Sequence, residues 1–324
     1  MLYIHHTSCI NPQKEPDSPP VPVNNQLKAV EPGYEGIPGN VLRRMSKSVR
    51  MGVGAALPLL KYGPDGILIG TGYGGMEDSV RFLNQIVAYD EGLLTPGTFV
   101  QSTANAIASQ LGLLHHNRGY NITYVSRGLS FESALLDAAM LVKEHPGKSW
   151  LVAGVDEISD HHYRFECAEG WYKGGVVAGE GAAAFLVNDR PAGALGRISK
   201  IVLIGGEDEA VLRSALTGIL DGQTPGLLLS GENGGSGENG GSGGNGGMDD
   251  SREGKWYRIV ESLMGPDADI VRFKTICGEY PTASAFALWL ACNLPAALQD
   301  HRHILFYNNY KFTQHSLMLL ERLL

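Results

Sequence analysis

The chain has 324 residues, 43% of them hydrophobic and 19% charged, with 34 acidic against 26 basic side chains and a net charge of −8. This balance suits a folded protein of one large unit or two fused halves, and it excludes the basic footprint of a nucleic-acid binder. Cys9, Cys167, Cys277 and Cys292 are scattered without a CxxC pair, so neither a disulfide framework nor a metal site is expected and a reducing cytoplasm fits.

At the N-terminus there is no basic segment and no apolar run of signal-peptide length, and nowhere does the chain approach the roughly 18 apolar residues of a spanning helix. Residues 1–40 read as an irregular arm, rich in Pro, Asn and Gly beyond residue 10. From Val41 the chain becomes organised. Short apolar runs bounded by glycines or turn residues predict strands at 63–72, 119–125, 149–155, 181–187, 198–204, 226–230 and 303–309. Between them, Leu135, Ala138, Ala139 and Val142 recur at helical spacing within 129–145, and His145-Pro146-Gly147 stops that helix. Residues 281–298 form a second helix, apolar on every side and therefore buried on every side. Strands alternating with helices imply an α/β fold with buried sheets.

Residues 231–247 repeat GENGGS and hold no apolar side chain, so they cannot offset their ordering entropy and read as a flexible insert. Phosphate-binding glycine loops keep their glycines at defined places between a strand and a helix, which a repeat of this kind does not do.

Six segments in order resemble the β-ketoacyl synthase family: VLRRMSKSVRMGVGAALPLL (41–60), GILIGTGYGGMED (66–78), TPGTFVQSTANAIASQLGLLHHNRGYNITYV (95–125), AGVDEIS (153–159), GEGAAAFLV (179–187) and KTICGEYPTASAFAL (274–288). The resemblance implies a thiolase-like, five-layered αβαβα fold of two related halves. The first would run over 41–195, and a shortened second half with the glycine-rich insert over 196–324. It also implies a dimer in which Tyr120 to Val125 lie at the interface.

A condensing enzyme of this family needs a nucleophilic cysteine at a helix N-terminus and two histidines. By resemblance, the cysteine position falls on Gly128, which carries no side chain. The first histidine position falls on Ser230, followed at once by the insert. The second falls on Glu279, which lacks the N–H that a neutral imidazole donates to an oxyanion. Lys274 is retained and is expected to pair with a carboxylate. The family's closing glycine-rich turn corresponds to Asn308–Gln314, with its glycines gone.

No catalytic residue is expected on this reading, and no cofactor. The chain resembles the inactive chain-length-factor subunits of type II polyketide and aryl polyene systems. These pair with an active ketosynthase, serve an acyl carrier protein and help shape the acyl tunnel. Phe131, Glu132, Tyr120 and Tyr124 are then pocket or interface candidates. Two alternatives stand beside this one: an active β-ketoacyl synthase or acyltransferase with a non-standard residue set, and a homodimer that binds an acyl chain or carrier protein. Arg43, Arg44, Lys47 and Arg50 read as a solvated helix face or a carrier-protein patch. The adjacent pairs His115-His116 and His161-His162 point apart and read as surface or turn residues. Cys167 is expected in a loop, without the basic setting of a reactive thiol.

Overall fold

The computed structural model describes residues 1–13, 20–92, 94–233 and 250–323. The first half of the chain runs β1 (Leu2–Ile10), β2 (Gln26–Leu27), α1 (Gly39–Leu42), α2 (Lys47–Leu60), β3 (Gly66–Gly70), α3 (Met76–Ala88), α4 (Pro96–Gln101) and α5 (Ala106–Leu114). It continues through β4 (Tyr120–Tyr124), α6 (Ser130–Glu144), β5 (Trp150–Asp156), α7 (Asp160–Glu169), β6 (Ala178–Gly179) and β7 (Gly181–Asn188). The second half runs β8 (Gly196–Gly205), α8 (Glu209–Leu220), β9 (Leu227–Ser230), α9 (Asp250–Glu261), β10 (Asp269–Arg272), α10 (Lys274–Cys277), α11 (Ala283–Cys292), β11 (His303–Tyr310) and β12 (Gln314–Arg322).

Ten strands join in the order β10-β9-β11-β12-β8-β1-β7-β5-β3-β4. Outward from the β1–β8 junction, each half sets its strands in the same sequence: first, fifth, fourth, second, third. Identical topology on both sides of one junction is the mark of two related halves, and the break between them falls between β7 and β8, at residues 189–195.

Burial sorts the helices into layers. Phe131, Leu135 and Ala138 of α6 pack with Ala285, Phe286 and Leu288 of α11 and with inward side chains of both sheet halves, such as Val152, Phe185, Leu229 and Phe306. On one outer face, α2 and α5 cover Ile67, Ile69, Leu151 and Ala153. On the other, α8 and α9 cover Leu228, Leu305, Leu317 and Leu319. The strands serve two faces at once, which is why they read as continuous apolar runs. The result is the five-layered αβαβα arrangement of the thiolase-like fold.

The expected irregular arm at 1–40 needs correction at its start. Leu2–Ile10 is an inner strand, paired antiparallel with β7 along its length and with β8 through Leu2, Tyr3 and Ile4. Its polar His5, His6, Thr7 and Ser8 hide the strand pattern, although Leu2, Ile4 and Ile10 are buried. The first half therefore begins at residue 2, not 41. Beyond residue 10 the described part of the arm carries only the two-residue β2 and the short α1. Of the glycine-rich insert, Gly231–Asn233 are described and 234–247 lie outside the described residues. Cys167, expected in a loop, stands exposed on α7.

Candidate functional site

In both halves the strand ends converge on one region. From β4 the chain reaches α6 across a single 3₁₀ turn, Arg127–Leu129. Here Gly128 lies buried, and its N–H donates to Gln314 Oε1 at 2.9 Å. A Cβ built on Gly128 would stand 2.2 Å from Tyr310 Cβ and 2.4 Å from Cγ. Such contacts are inside van der Waals distance, so Tyr310 occupies the space that a nucleophile's side chain would need.

Tyr310 is 3% exposed, and its hydroxyl pairs with that of Tyr73 at 2.7 Å. It is delivered by the β11–β12 hairpin, which turns through Lys311 and Phe312 at φ of 50° and 65°. That left-handed region favours glycine, yet both residues carry side chains here. Both are anchored. Phe312 packs on Trp171 at a ring distance of 5.6 Å, and its N–H donates to Asn309 Oδ1 at 3.0 Å. Lys311 reaches over the Trp171 ring at 4.7 Å and ion-pairs with Glu166 of α7. Glu166 also faces His162 at 3.1 Å and accepts from Tyr172. Burial alone would raise the Glu166 carboxyl, but His162, Lys311 and Tyr172 outweigh it and hold the group at about 2. Burial, Tyr73 and Glu166 push the Tyr310 phenol well up.

The second-half positions assemble around the end of β11. Ser230 closes β9, wholly buried, and its hydroxyl accepts from the N–H of Glu232 at 3.3 Å. A Cβ on the next residue, Gly231, would meet Asn308 Oδ1 at 2.4 Å. Lys274, 2% exposed, donates to Glu279 Oε2 at 2.7 Å and to the Asn309 carbonyl at 3.0 Å. Asn233 donates to the same Glu279 oxygen at 2.8 Å. The buried Lys274 and the partly buried Glu279 thus form a hydrogen-bonded pair, which fits an anchoring role. Three successive residues thus reach all of these positions: Asn308 stands against Gly231, Asn309 accepts from Lys274, and Tyr310 fills the space beside Gly128.

Phe131 and Glu132 lie within the protomer's core and are both fully buried. The Phe131 and Phe185 rings lie 5.6 Å apart, tilted by 41°. Burial raises the Glu132 carboxyl, and the Ser316 and Ser284 hydroxyls partly offset it; the Ser316 bond to Oε1 is 2.6 Å. Tyr120 and Tyr124 sit on β4, an edge strand. Tyr120 is 39% exposed and donates to Asp137 at 2.9 Å. Burial and Asp137 together raise the Tyr124 phenol. Arg43 and Arg44 are exposed, whereas Lys47 and Arg50 are committed to Glu180 and Glu31. Among the described residues no group of three His, Cys, Asp or Glu side chains could hold a metal ion, and no helix is long and apolar enough to cross a membrane.

Sequence reasoning missed two groups. One is the plug formed by Tyr73, Tyr310, Lys311 and Glu166. Its one visible signal was the loss of glycines from 308–314. The other is Asp156, which ends β5 and joins the halves: it accepts from Gly72 N and Thr71 Oγ1 on one side and from Thr282 N and Oγ1 on the other, at 2.7–3.1 Å. Burial pushes it up to about 6 despite these four donors.

A strand-to-helix turn at Gly128, between sheets of duplicated topology, defines a thiolase-like ketosynthase scaffold. The β-ketoacyl synthase N-terminal domain profile matches residues 15–189, more than half of the chain, and the protein belongs to that family. No curated protein sequence matches it. Solved structures do. The ishigamide ketosynthase/chain length factor is similar with a TM-score of 0.77 and 17% identity, over 99% of each chain. A ketosynthase in complex with its chain length factor from Xenorhabdus doucetiae has a TM-score of 0.72 and 12% identity, over 99% of this chain and 98% of that one. A β-ketoacyl synthase from Burkholderia phymatum has a TM-score of 0.70 and 12% identity, over 100% and 99%. At these identities the likeness is one of fold.

Proposed function

We propose that the chain is a catalytically inactive, chain-length-factor-type subunit. It pairs with an active β-ketoacyl synthase, in contact with an acyl carrier protein, and helps shape the tunnel that receives the growing acyl chain. One observation carries this reading: the nucleophile position is a glycine whose side-chain space is filled by Tyr310. A thioester needs both a thiol and room for the acyl group. Neither is present, and the two histidine positions hold Ser230 and Glu279.

Pairing is supported by what the protomer leaves uncovered. Among the described residues, β4 ends the sheet with a free edge, and an exposed edge is a template for another strand. Beside it, Val125 and Met140 are 48% and 49% exposed. The α3–α4 arm presents Leu83, Val87, Phe99 and Val100, all more than half exposed. Apolar surface of this extent is characteristic of a protein interface. Two of the solved relatives are themselves described as a ketosynthase with a chain length factor.

The test is co-expression with a ketosynthase encoded beside this chain, followed by mass measurement and condensation assays with malonyl and acyl carrier protein. A one-to-one complex whose activity vanishes when the partner's cysteine is replaced supports the assignment. A homodimer that condenses alone refutes it, and a homodimer that binds acyl carrier protein without condensing points to a binding protein instead.

A further inference from the structure

Away from the occluded site, α6 leaves part of its length uncovered. Leu136, Ala139 and Lys143 follow at three- and four-residue spacing and share one helix face. Opposite stands β8, which β1 joins only at Gly196, Arg197 and Ile198. From Ser199 onward β8 keeps β12 on one side and, among the described residues, has no strand on the other. Ala215, Gly218 and Ile219 of α8 close the third wall. The groove between them has a volume of about 520 Å³, inside the range of roughly 300–1,000 Å³ typical of small-molecule sites.

Its chemistry is asymmetric. The lining is apolar apart from Ser199, Lys143, Lys200 and the terminal amine of Met1. Ser199 is satisfied by the Leu319 carbonyl at 3.0 Å, and Lys200 by the Gly218 carbonyl at 2.8 Å and Asp221 at 3.4 Å. Lys143 has no such partner among the described residues. An apolar trough with the uncommitted Lys143 ammonium on its lining matches a single-chain amphiphile with an anionic head. A bound aliphatic chain would remove the Leu136 stripe from water, and its head would meet Lys143.

We propose that the groove between α6, β8 and α8 binds a medium-length aliphatic carboxylate, with its head at Lys143 and its chain along Leu136, Ala139 and Ile201. This site is separate from the occluded one, because Lys143 lies about 20 Å along the α6 axis from Ser130. It does not depend on the pairing proposed above.

The test uses the full-length protein in the oligomeric state in which it purifies. Dansyl-labelled undecanoic acid is titrated by fluorescence and competed with dodecanoate and with dodecanol. One saturable site per chain is expected. Lys143→Glu should weaken dodecanoate by about fivefold or more and leave dodecanol unchanged. Ala139→Trp, which fills the trough, should remove both, and Ala215→Phe fills it from the α8 wall if the first variant does not fold. The proposal is overturned by absence of saturable binding, by dodecanoate affinity indifferent to Lys143→Glu, or by wild-type binding in the filled variants. Because no partner protein enters this experiment, its failure leaves the subunit assignment untouched.

Discussion

Replacing Gly128 with cysteine supplies the residue type that, on the reading proposed above, a condensing enzyme carries at the start of α6, yet it should not give a working thiol. The new Cβ would sit 2.2–2.7 Å from three atoms of the Tyr310 side chain, and Tyr310 cannot step aside freely. Its hydroxyl is tied to Tyr73, and the next residue is tied to Glu166. Overpacking of this kind costs about 1–3 kcal/mol. Tyr310→Ala alone opens a cavity in the core at about 3–5 kcal/mol. The two changes share one contact, so the double variant should be no less stable than Tyr310→Ala alone, with a coupling energy of about 1–3 kcal/mol. Chemical denaturation of the four proteins measures this cycle, and a disulfide-exchange reagent reports the thiol. The introduced thiol should be silent in the single variant and reactive in the double. A Gly128→Cys protein as stable as the parent, with a freely reactive or acylated thiol, would refute the reasoning.

Other consequences follow from the ion pairs and the free edge. Lys311→Met should cost about 3 kcal/mol at neutral pH by leaving the buried Glu166 without its cation. Glu166 is held at about 2 against an ordinary 4.5, so the stability it contributes is full above about pH 4.5 and lost as pH falls through 2; the gap between parent and variant should close over that window. Glu157 behaves oppositely. Burial, then the charge of Asp78, pushes it from 4.5 to about 7, so its contribution is full below pH 4.5 and lost as pH rises through 7. Glu157→Gln keeps an acceptor for Ser48 N and should gain about 2–3 kcal/mol on the parent at pH 8 and nothing at pH 4, read from denaturation midpoints across pH. Val125→Asp with Met140→Asp should abolish association with the ketosynthase in size-exclusion mass measurements. Both side chains are about half exposed in the protomer, so the melting temperature of the isolated chain should hardly change.

Much of the fold was legible because local patterns carry it. Continuous apolar runs such as Gly66–Gly70 and Trp150–Asp156 announced strands covered on both faces, and the apolarity of Ala283–Cys292 announced a helix of the central layer. β1 escaped because His5, His6, Thr7 and Ser8 interrupt its pattern. β10 escaped because it is four residues long and half charged. β12 escaped because it starts at Gln314, inside the turn expected at 308–314.

By itself the sequence determined the element types and the order of the family segments, since each is a property of residues read one at a time or at short spacing, and it put Gly128, Ser230 and Glu279 where the family resemblance implies a cysteine and two histidines. Only the tertiary structure decided what stands in their place. Tyr310 meets Gly128 across 182 positions of chain, Lys311 meets Glu166 across 145, and Asp156 ties Gly72 to Thr282. Contacts of that separation leave no period in the sequence, because they arise only when the two halves close on the same buried layer.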